Sequence, residues 1–506
     1  MITSDNLHKL IHSLTKSEKR FFTVNSSRNG SKAEYLRLFE AVGKLQNYDE
    51  EKLRREYAEE KFIRNLSYNK NYLYNKILCS LSDFHKGNFI DLRIQELLSH
   101  SQILMGKGLA NESIKLLKKA LKLAEKYEKH EMQLDILKQY RNRIAVLFYP
   151  KELMKKLETI NNKIEHAASV ILNKNKYDNM HSEISALYIH KGLARSKSEA
   201  KEYKEIIDNS FYKNEELALS FQAKFTLFQD LAVYYLEKGN LKESFKFRNK
   251  QIKLVESHRH MGEESPAYFS IAYYNFIHIC RLLQKHELIP EYLNKLRNIR
   301  IKTNDDLSRI ILPSYHMEIG WYIETGQFEK GLDIAGNVIK EINKYSHFTK
   351  RISGTILYLF YDLARLFFVT GEYERSAEFI SRFFNSIQVT TIQIYFNTKI
   401  LSLLVHFELG LNDLLEYQMR STYRYLSRKN KVYKFEKTIL DFLRTSFRVK
   451  ENNELLEEFA MLQKALSELN KDTFEHRVIA DLFMIQWLRS KTEKKMLIEV
   501  IKESYL

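Results

Sequence analysis

The chain has 506 residues, of which 44% are hydrophobic, so it can bury a substantial core and is not a disordered tail. Only 4 prolines and 15 glycines occur, and because these residues interrupt helices and form turns, their scarcity favours long helices. The formal net charge of +17 is compatible with a polyanionic partner. A second explanation is compositional, because the chain is rich in Lys, Asn, Ile, Tyr and Phe, whose codons are AT-rich, and a lysine-rich composition gives this charge without such a partner.

Cysteine usage and the apolar segments bear on the compartment. Cys79 and Cys280 are far apart in the sequence, which excludes a disulfide framework and a cysteine-rich zinc site and fits a reducing compartment. The first residues, MITSDNLHKLIHSL, lack the apolar core and cleavage site of a signal peptide. The most apolar stretch, ILYLFYDLARLFFV, contains Asp362 and Arg365 and is too short to span a bilayer. We therefore expect a cytoplasmic protein without a membrane segment.

Residues 1–90 predict a head of short helices, because helix-start signals recur along them. Thr15 and Glu18 have the spacing of a capping box, in which each side chain bonds the other residue's backbone N–H. Asp49 is the first residue of the helical pattern DEEKLRREYAEEKF, and Ser67 is the first residue of SYNKNYLYNKILCSLSDF. Both residues are of the types that cap helix N-termini.

The segment 49–86 has the pattern helix, short turn, helix, and two interpretations of it are open. In a DNA-binding helix-turn-helix the second helix enters a groove, and its first exposed residues would be Tyr68, Asn69, Lys70 and Asn71. The alternative is a helical cap on the array that follows, which needs the same short amphipathic helices. The sequence favours the cap.

A fixed spacing around five glycines predicts helical repeats, degenerate over 91–220 and clearer over 221–430. Each glycine follows one apolar helical pattern (helix A) and precedes another (helix B): Gly108, Gly239, Gly326, Gly371 and Gly410. Small or apolar residues recur five, nine and twelve positions after most of these glycines, as in Ser376, Ile380 and Phe383 after Gly371. Gly239 is the weakest case, being followed by Ser244, Arg248 and Gln251.

The positions before the glycines repeat as well. Before Gly371 stand Phe360, Leu363, Ala364 and Phe367. Before Gly239 the same offsets carry Phe228, Leu231, Ala232 and Tyr235. The segment around Phe276, Ile279 and Cys280 fits the pattern if Glu287 takes the place of the glycine. In that alignment Cys280 occupies the small-residue position and is a buried packing residue.

This pattern resembles the tetratricopeptide repeat: aromatic, Leu, small and aromatic residues on helix A, a glycine turn, then small and bulky residues on helix B. The resemblance implies an all-α fold, an irregular solenoid of antiparallel helix pairs, with the short-helix head at 1–90 and a helical cap at 431–506. The turns between Gly239 and Gly410 are about 43 residues apart, longer than the family's usual ~34. The motif LTKSEKRFF also resembles the head of uncharacterised bacterial proteins of this type.

In this superfamily the outward side of the helix A series lines a concave groove. Carrying those positions over implies that one set of residues binds a protein or peptide partner: Gln229, Tyr274, Arg281, Gln284, Trp321, Tyr358, Tyr361 and Arg365. Aromatic rings supply apolar contact, and Arg281 and Arg365 have the planar fork that binds carboxylates or phosphates. An acidic partner would fit. The alternative is that neighbouring helices cover these residues.

Residues 420–450 are strongly basic, with ten Lys or Arg against Glu436 and Asp441. Arg420, Arg424, Arg428 and Lys431 are three or four residues apart, so they share one helix face. Tyrosines are interleaved with them. Such a row fits a polyanion-binding site, but it also fits a solvated face that the acidic residues of 454–459 neutralise, and the sequence does not decide between the two.

No pattern of catalytic residues stands out. There is no P-loop, dinucleotide-binding glycine motif or HExxH sequence. The pair His258 and His260 near Glu256, Glu263 and Glu264 is explained better by a wet loop than by a metal site. We therefore expect no catalytic residues, no cofactor and no metal. The leading hypothesis is a non-enzymatic scaffold, and the rival is a nucleic-acid-associated regulator using the head or the basic segment.

Overall fold

The computed structural model describes residues 5–27, 34–145, 150–191, 194, 196–301, 304–346, 354–386, 392–428, 433–446 and 452–503. Within these residues the fold is all-α, with 27 α-helices, three short 3₁₀ turns and no strand. The predicted fold class is confirmed at this level. The chain divides into two compact units, residues 1–168 and 169–506, and the division falls inside the segment predicted as degenerate repeats.

Nine helices lie entirely in the first unit. In chain order they are α1 (Asn6–Ser13), α2 (Lys16–Ser27), α3 (Glu34–Lys44), α4 (Glu50–Glu56), α5 (Lys61–Arg64), α6 (Leu66–His85), α7 (Ile90–Gly106), α8 (Ala110–Lys126) and α9 (His130–Ile144). The long helix α10 (Pro150–Lys191) contains the boundary between the units.

Two of the three predicted helix starts in the head are confirmed. The backbone N–H of Thr15 donates to the Glu18 carboxylate at 2.6 Å, and the N–H of Glu18 donates to the Thr15 hydroxyl at 3.2 Å. Asp49 accepts from the N–H of Lys52 at 2.9 Å and caps α4. The prediction for Ser67 is wrong, because α6 begins one residue earlier, at Leu66.

The second unit contains seventeen further helices among the described residues. They are α11 (Lys197–Ile207), α12 (Phe221–Glu237), α13 (Leu241–Ser257), α14 (Arg259–Glu264), α15 (Pro266–Leu282), α16 (Ile289–Arg297), α17 (Asn304–Glu324), α18 (Phe328–Ser346), α19 (Gly354–Val369), α20 (Tyr373–Ser386), α21 (Ile392–Glu408), α22 (Asn412–Arg428), α23 (Lys434–Ser446), α24 (Asn452–Leu469), α25 (Thr473–Asp481), α26 (Met484–Glu493) and α27 (Leu497–Glu503).

The five glycine turns predicted from the sequence are confirmed. Each of the five glycines has a positive φ, between 67° and 80°. The residue after each one donates its N–H to a carbonyl five residues back, as Glu372 does to Phe367 at 2.8 Å. This is the Schellman arrangement, which ends a helix on a left-handed residue. Glycine adopts that conformation without steric cost, which is why it marks these turns.

The sixth predicted turn lies at a different residue. Glu287 is not the glycine equivalent, because the left-handed residue is Gln284, with φ 55°. The N–H of Lys285 donates to the carbonyl of Cys280 at 2.8 Å, as at the glycine turns. The register is therefore shifted by three residues, and Cys280 takes the second aromatic position of helix A. It is nevertheless fully buried, as predicted.

Gln284→Gly is expected to stabilise the second unit by up to about 1 kcal/mol. A left-handed backbone costs a residue with a Cβ roughly 1–2 kcal/mol, and glycine avoids this cost. Part of the gain is lost because glycine has more conformational freedom in the unfolded chain. Glu287→Gly, at the position inferred from the sequence, should destabilise instead. Urea unfolding of the two variants measures the difference. Equal effects would contradict the shifted register.

The predicted spacing after the turns marks buried positions. Ser376, Ile380 and Phe383 are buried, and so are their equivalents after the other four glycines. A recurring hydrogen bond joins the two helices of three pairs. The serine five residues after the glycine donates to a helix A carbonyl in each: Ser113 to Ser101 at 2.8 Å, Ser244 to Ala232 at 2.8 Å and Ser376 to Ala364 at 2.7 Å. A small residue permits this close approach.

Helices pack both within pairs and between neighbouring pairs. In the second unit α12 packs on α13 and α19 on α20, and in the series α15, α17, α19 and α21 each helix after the first contacts the one before it. Phe360, Leu363 and Phe367 before the Gly371 turn and Phe383 after it are buried together in one core.

Candidate functional site

Helices α15, α17 and α19 place most of the predicted groove residues in the second unit. Five of the eight are at least partly exposed: Gln229, Tyr274, Gln284, Trp321 and Tyr358. Arg281, Tyr361 and Arg365 are buried, so the expectation of exposure is wrong for these three. We call the side of the three helices that carries Tyr274, Arg281, Trp321, Tyr358 and Arg365 the A-helix face.

Arg281 is buried because the next helix of the series supplies its partner. Its Nε and Nη2 atoms donate to the two carboxylate oxygens of Glu324, at 2.8 and 2.6 Å. A Cβ at Gly320 would lie 2.2 Å from the Arg281 Nη2 atom. The absence of a side chain at Gly320 therefore makes room for the guanidinium, which forms the two-pronged bond expected of arginine but with a carboxylate of its own chain.

Arg365 is buried in a larger network that ends in the C-terminal helices. Its Nη1 atom lies 3.4 Å from Asp362 and 3.2 Å from Asp481, the last residue of α25. Tyr361 also donates to Asp481, and Asn397 donates to it at 2.8 Å. Asp481 has no equivalent in the repeat pattern and lies more than a hundred residues along the chain. Sequence reasoning therefore missed it.

Asp362 is the central anion of this network. The ring of His316 on α17 lies 2.5 Å from its carboxylate. Burial alone would raise the pKa of Asp362, but His316, Arg365 and Arg281 more than offset this and hold the pKa below its ordinary value. The carboxylate is thus kept ionised inside the core, where its charge is matched by cations and hydrogen bonds.

The part of the A-helix face that remains partly exposed is aromatic. The ring of His316 lies 6.0 Å from that of Tyr274 and 5.1 Å from that of Tyr358. Tyr358 also shares a hydrogen bond with Tyr188 of α10. Trp321 stacks on its neighbour Tyr322 at 5.2 Å. The indole N–H of Trp321 has no acceptor among the described residues.

Gln229 is half-buried and belongs to a separate polar cluster that extends into the core. It accepts from Arg248, and from Gln251 and Asn275 at 3.1 Å each. Arg248 and Gln251 occupy the positions after Gly239 that are mostly apolar after the other four glycines, and both are buried. Burial lowers the pKa of Arg248. The polar residues after Gly239 are thus explained by their hydrogen bonds to one another, and the side-chain oxygen of Gln229 is used by these bonds.

The basic residues predicted to bind a polyanion lie on α22. Arg420, Arg424 and Arg428 are all exposed. Lys431 lies outside the described residues. Of the three tyrosines interleaved with these residues, Tyr425 packs on Tyr395 at 4.7 Å and Tyr433 donates to Glu199 at 2.7 Å. Tyr423 is exposed.

In the head, two of the four predicted DNA-facing residues are committed to the fold. Asn69 donates to the carbonyl of Phe62 at 2.9 Å, and Lys70 forms an ion pair with Glu50 at 2.6 Å. Tyr68 and Asn71 are exposed. The segment contains three helices, α4, α5 and α6, instead of two, and the exposed part of α6 offers few cations for phosphates.

In the second unit a serine contacts a histidine and the histidine contacts an aspartate, which is the order of contacts in a catalytic triad. His181 Nδ1 lies 2.6 Å from Asp230 Oδ1, and Ser185 Oγ lies 3.4 Å from His181 Nε2. Ser185 is inside the long helix α10, whose backbone N–H groups bond the helix itself, so none converges on an oxyanion. Asp230 also accepts from Tyr212 at 2.7 Å. We interpret the group as a structural link between α10 and α12.

Among the described residues, no group of three or more His, Cys, Asp or Glu side chains is arranged to hold a metal ion. The helices described include none with the length and apolar character needed to cross a membrane. Comparison with protein-family models gave no match, and comparison with curated proteins gave no significantly similar sequence.

Proposed function

We propose that this protein is a non-catalytic scaffold, a tetratricopeptide-like stack of helix pairs that binds a protein or peptide through the open part of the A-helix face. The recurring left-handed turns, the repeated serine bond between paired helices and the contacts from α15 to α21 support the stacked arrangement. Stacks of this kind function mainly through the extended surface that successive repeats present.

The observation that carries the proposal is the partly exposed aromatic set on three successive helix A elements. Tyr274, Trp321 and Tyr358 retain solvent contact, although α15 and α19, which carry two of them, are among the most apolar helices of the described chain. Large aromatic side chains that are desolvated on binding contribute most of the energy at many interfaces. A row of them on consecutive helices fits an extended segment.

The ion pairs that Arg281 and Arg365 form within the chain bear on which partner the face can bind. Arg281 is paired with Glu324 and Arg365 with Asp362 and Asp481. Because these cations are neutralised within the chain, they give no preference for an acidic partner. The open part of the face offers aromatic rings, so a peptide with apolar or aromatic side chains fits it better.

The double variant Trp321→Ala with Tyr358→Ala is expected to lower partner capture by tenfold or more, about 1.4 kcal/mol, because it removes two aromatic contacts. Tagged full-length protein would be incubated with extract of its native cell after nuclease treatment, and the proteins retained would be quantified by mass spectrometry. Tyr68→Ala, which removes an equally large exposed ring in the head, is the matched control. Unchanged capture per folded molecule by the double variant would contradict the proposal.

A further inference from the structure

The outward face of α22 carries tyrosines and arginines in one patch, which we call the α22 stripe: Tyr417, Arg420, Tyr423, Arg424 and Arg428. Tyr417 and Tyr423 are 67% and 53% exposed, and the three arginines are exposed too. The basic run of the sequence does not include Tyr417, which precedes it. Its spacing of three and seven residues from Arg420 and Arg424 puts it on the same helix face.

Buried residues on the opposite side of α22 fix the orientation of the α22 stripe toward solvent. Leu415, Met419, Thr422 and Leu426 are buried. The tyrosines of the stripe therefore cannot turn into the core without unpacking α22. An exposed aromatic ring gains nothing from water, and two of them beside three cations form a surface whose stabilising role in the folded chain is small.

Two of the three arginines have no acidic partner among the described residues. Arg420 is paired with Glu416 at 2.6 Å. Among the described residues, no carboxylate lies within ion-pair distance of Arg424 or Arg428, and the Nε of Arg424 donates only to the backbone carbonyl of Arg420, at 3.2 Å. The row of like charges costs helix stability, roughly 0.2–0.5 kcal/mol per pair, and the fold does not offset it locally.

We propose that the α22 stripe binds single-stranded nucleic acid. The free guanidinium groups of Arg424 and Arg428 match phosphate oxygens, which they can bind in the two-pronged manner of arginine. The rings of Tyr417 and Tyr423 are platforms on which unpaired bases stack, a contact that any base can make. This inference goes beyond the scaffold proposal and does not rest on it, since the stripe and the A-helix face share no residue.

The mixed chemistry of the stripe selects the single strand over other anionic partners. In a duplex the base faces are already stacked, so the tyrosines would have no role. An anionic membrane would engage the arginines, but its headgroups provide no planar groups on which the two rings can stack. An acidic protein segment would engage the arginines but would not provide planar groups for both rings.

The test uses full-length protein and fluorescein-labelled oligo(dT) and oligo(rU) of about 20 nucleotides, longer than the ~4–16 nucleotides that such surfaces cover. Binding is followed by fluorescence anisotropy between roughly 50 and 200 mM salt. Each phosphate contact to a single strand contributes a slope of about −0.7 in log K against log salt. Wild-type protein should bind with a slope of about −1.4 or steeper, which corresponds to at least two phosphate contacts.

Two double variants separate the roles of the side chains. Arg424→Ala with Arg428→Ala is expected to weaken binding at least tenfold at low salt and to reduce the magnitude of the slope by about 1.4, two contacts' worth. Tyr417→Ala with Tyr423→Ala is expected to weaken binding at least tenfold while leaving the slope unchanged, because stacking releases no counterions. Both variants should retain the wild-type thermal midpoint, since the residues are exposed.

The matched control is Lys119→Ala with Lys122→Ala, which removes the same charge from the exposed side of α8, and it should bind like wild type. The proposal would be overturned by absence of binding at low salt, by equal loss in the control, or by tyrosine variants that bind normally. It would also be overturned if a duplex of equal length or vesicles of anionic lipid bound as tightly as the single strand.

Discussion

Arg365→Ala is expected to lower the free energy of unfolding of the second unit by about 3–5 kcal/mol, the usual cost of removing one partner of a buried ion pair. The substitution leaves Asp362, only 2% exposed, without one of its cations, and removes the Nη1 group that lies 3.2 Å from Asp481. It also empties the space between the rings of Tyr361 and Phe483, over which the guanidinium lies. If Arg365 faced an open groove, the cost would be small.

The measurement can be confined to the relevant unit. Both tryptophans of the chain, Trp321 and Trp487, lie in the second unit, so tryptophan fluorescence during urea unfolding reports that unit. The matched control is Arg444→Ala, which removes an exposed arginine paired with Asp441 at 3.2 Å. Exposed pairs contribute about 0–1 kcal/mol. Equal effects of the two substitutions would contradict the buried network.

A double-mutant cycle with Asp481→Asn then tests whether α25 is the partner of Arg365. Groups in direct contact show interaction energies of about 0.5–3 kcal/mol, whereas distant groups are additive. We expect Arg365→Ala and Asp481→Asn to be less than additive, because each removes the same ion pair. Strict additivity would mean that the aspartate and the arginine do not contact each other.

The helical pairs were predictable because their signals are local. A left-handed residue is needed to end helix A and begin helix B within a few residues, and glycine is the residue that adopts it freely. The buried positions follow from the turn by helical periodicity, so Ser376, Ile380 and Phe383 could be identified by counting. At the turn whose left-handed residue is Gln284, no glycine marks the position, and the turn predicted at Glu287 is three residues too late.

The A-helix face was predictable only in part, because its partners are distant in sequence. Helical spacing placed Arg281 and Arg365 on one side of their helices, but the repeat pattern gives no indication that Glu324 and Asp481 meet them there. One local signal existed. Asp362 and Arg365 are one turn apart in the most apolar helix of the chain, and a charged pair in such a setting indicates a buried network more readily than a solvated face.

Phe367→Ala is expected to destabilise the second unit by about 3–5 kcal/mol, the range for removing a phenylalanine from a close-packed core. Phe367 is fully buried. Its ring stacks on that of Phe379 at 5.6 Å, and the guanidinium of Arg375 lies 3.8 Å from the ring centre. The residue therefore joins helix A to helix B of one pair, and alanine would leave a cavity that two helices with fixed turns cannot close.

The comparison with Phe367→Leu makes this prediction specific. Leucine keeps most of the buried volume, so the cost should fall to roughly 1–2 kcal/mol, near the range for hydrophobic swaps that alter shape. Tyr417→Ala, an aromatic deletion at a site that is 67% exposed, should change stability by less than about 0.5 kcal/mol. Tryptophan fluorescence in urea measures all three. A cost for Phe367→Ala as small as that for Tyr417→Ala would mean that helices α19 and α20 do not pack through this ring, and the pairing of helices across the Gly371 turn would have to be abandoned.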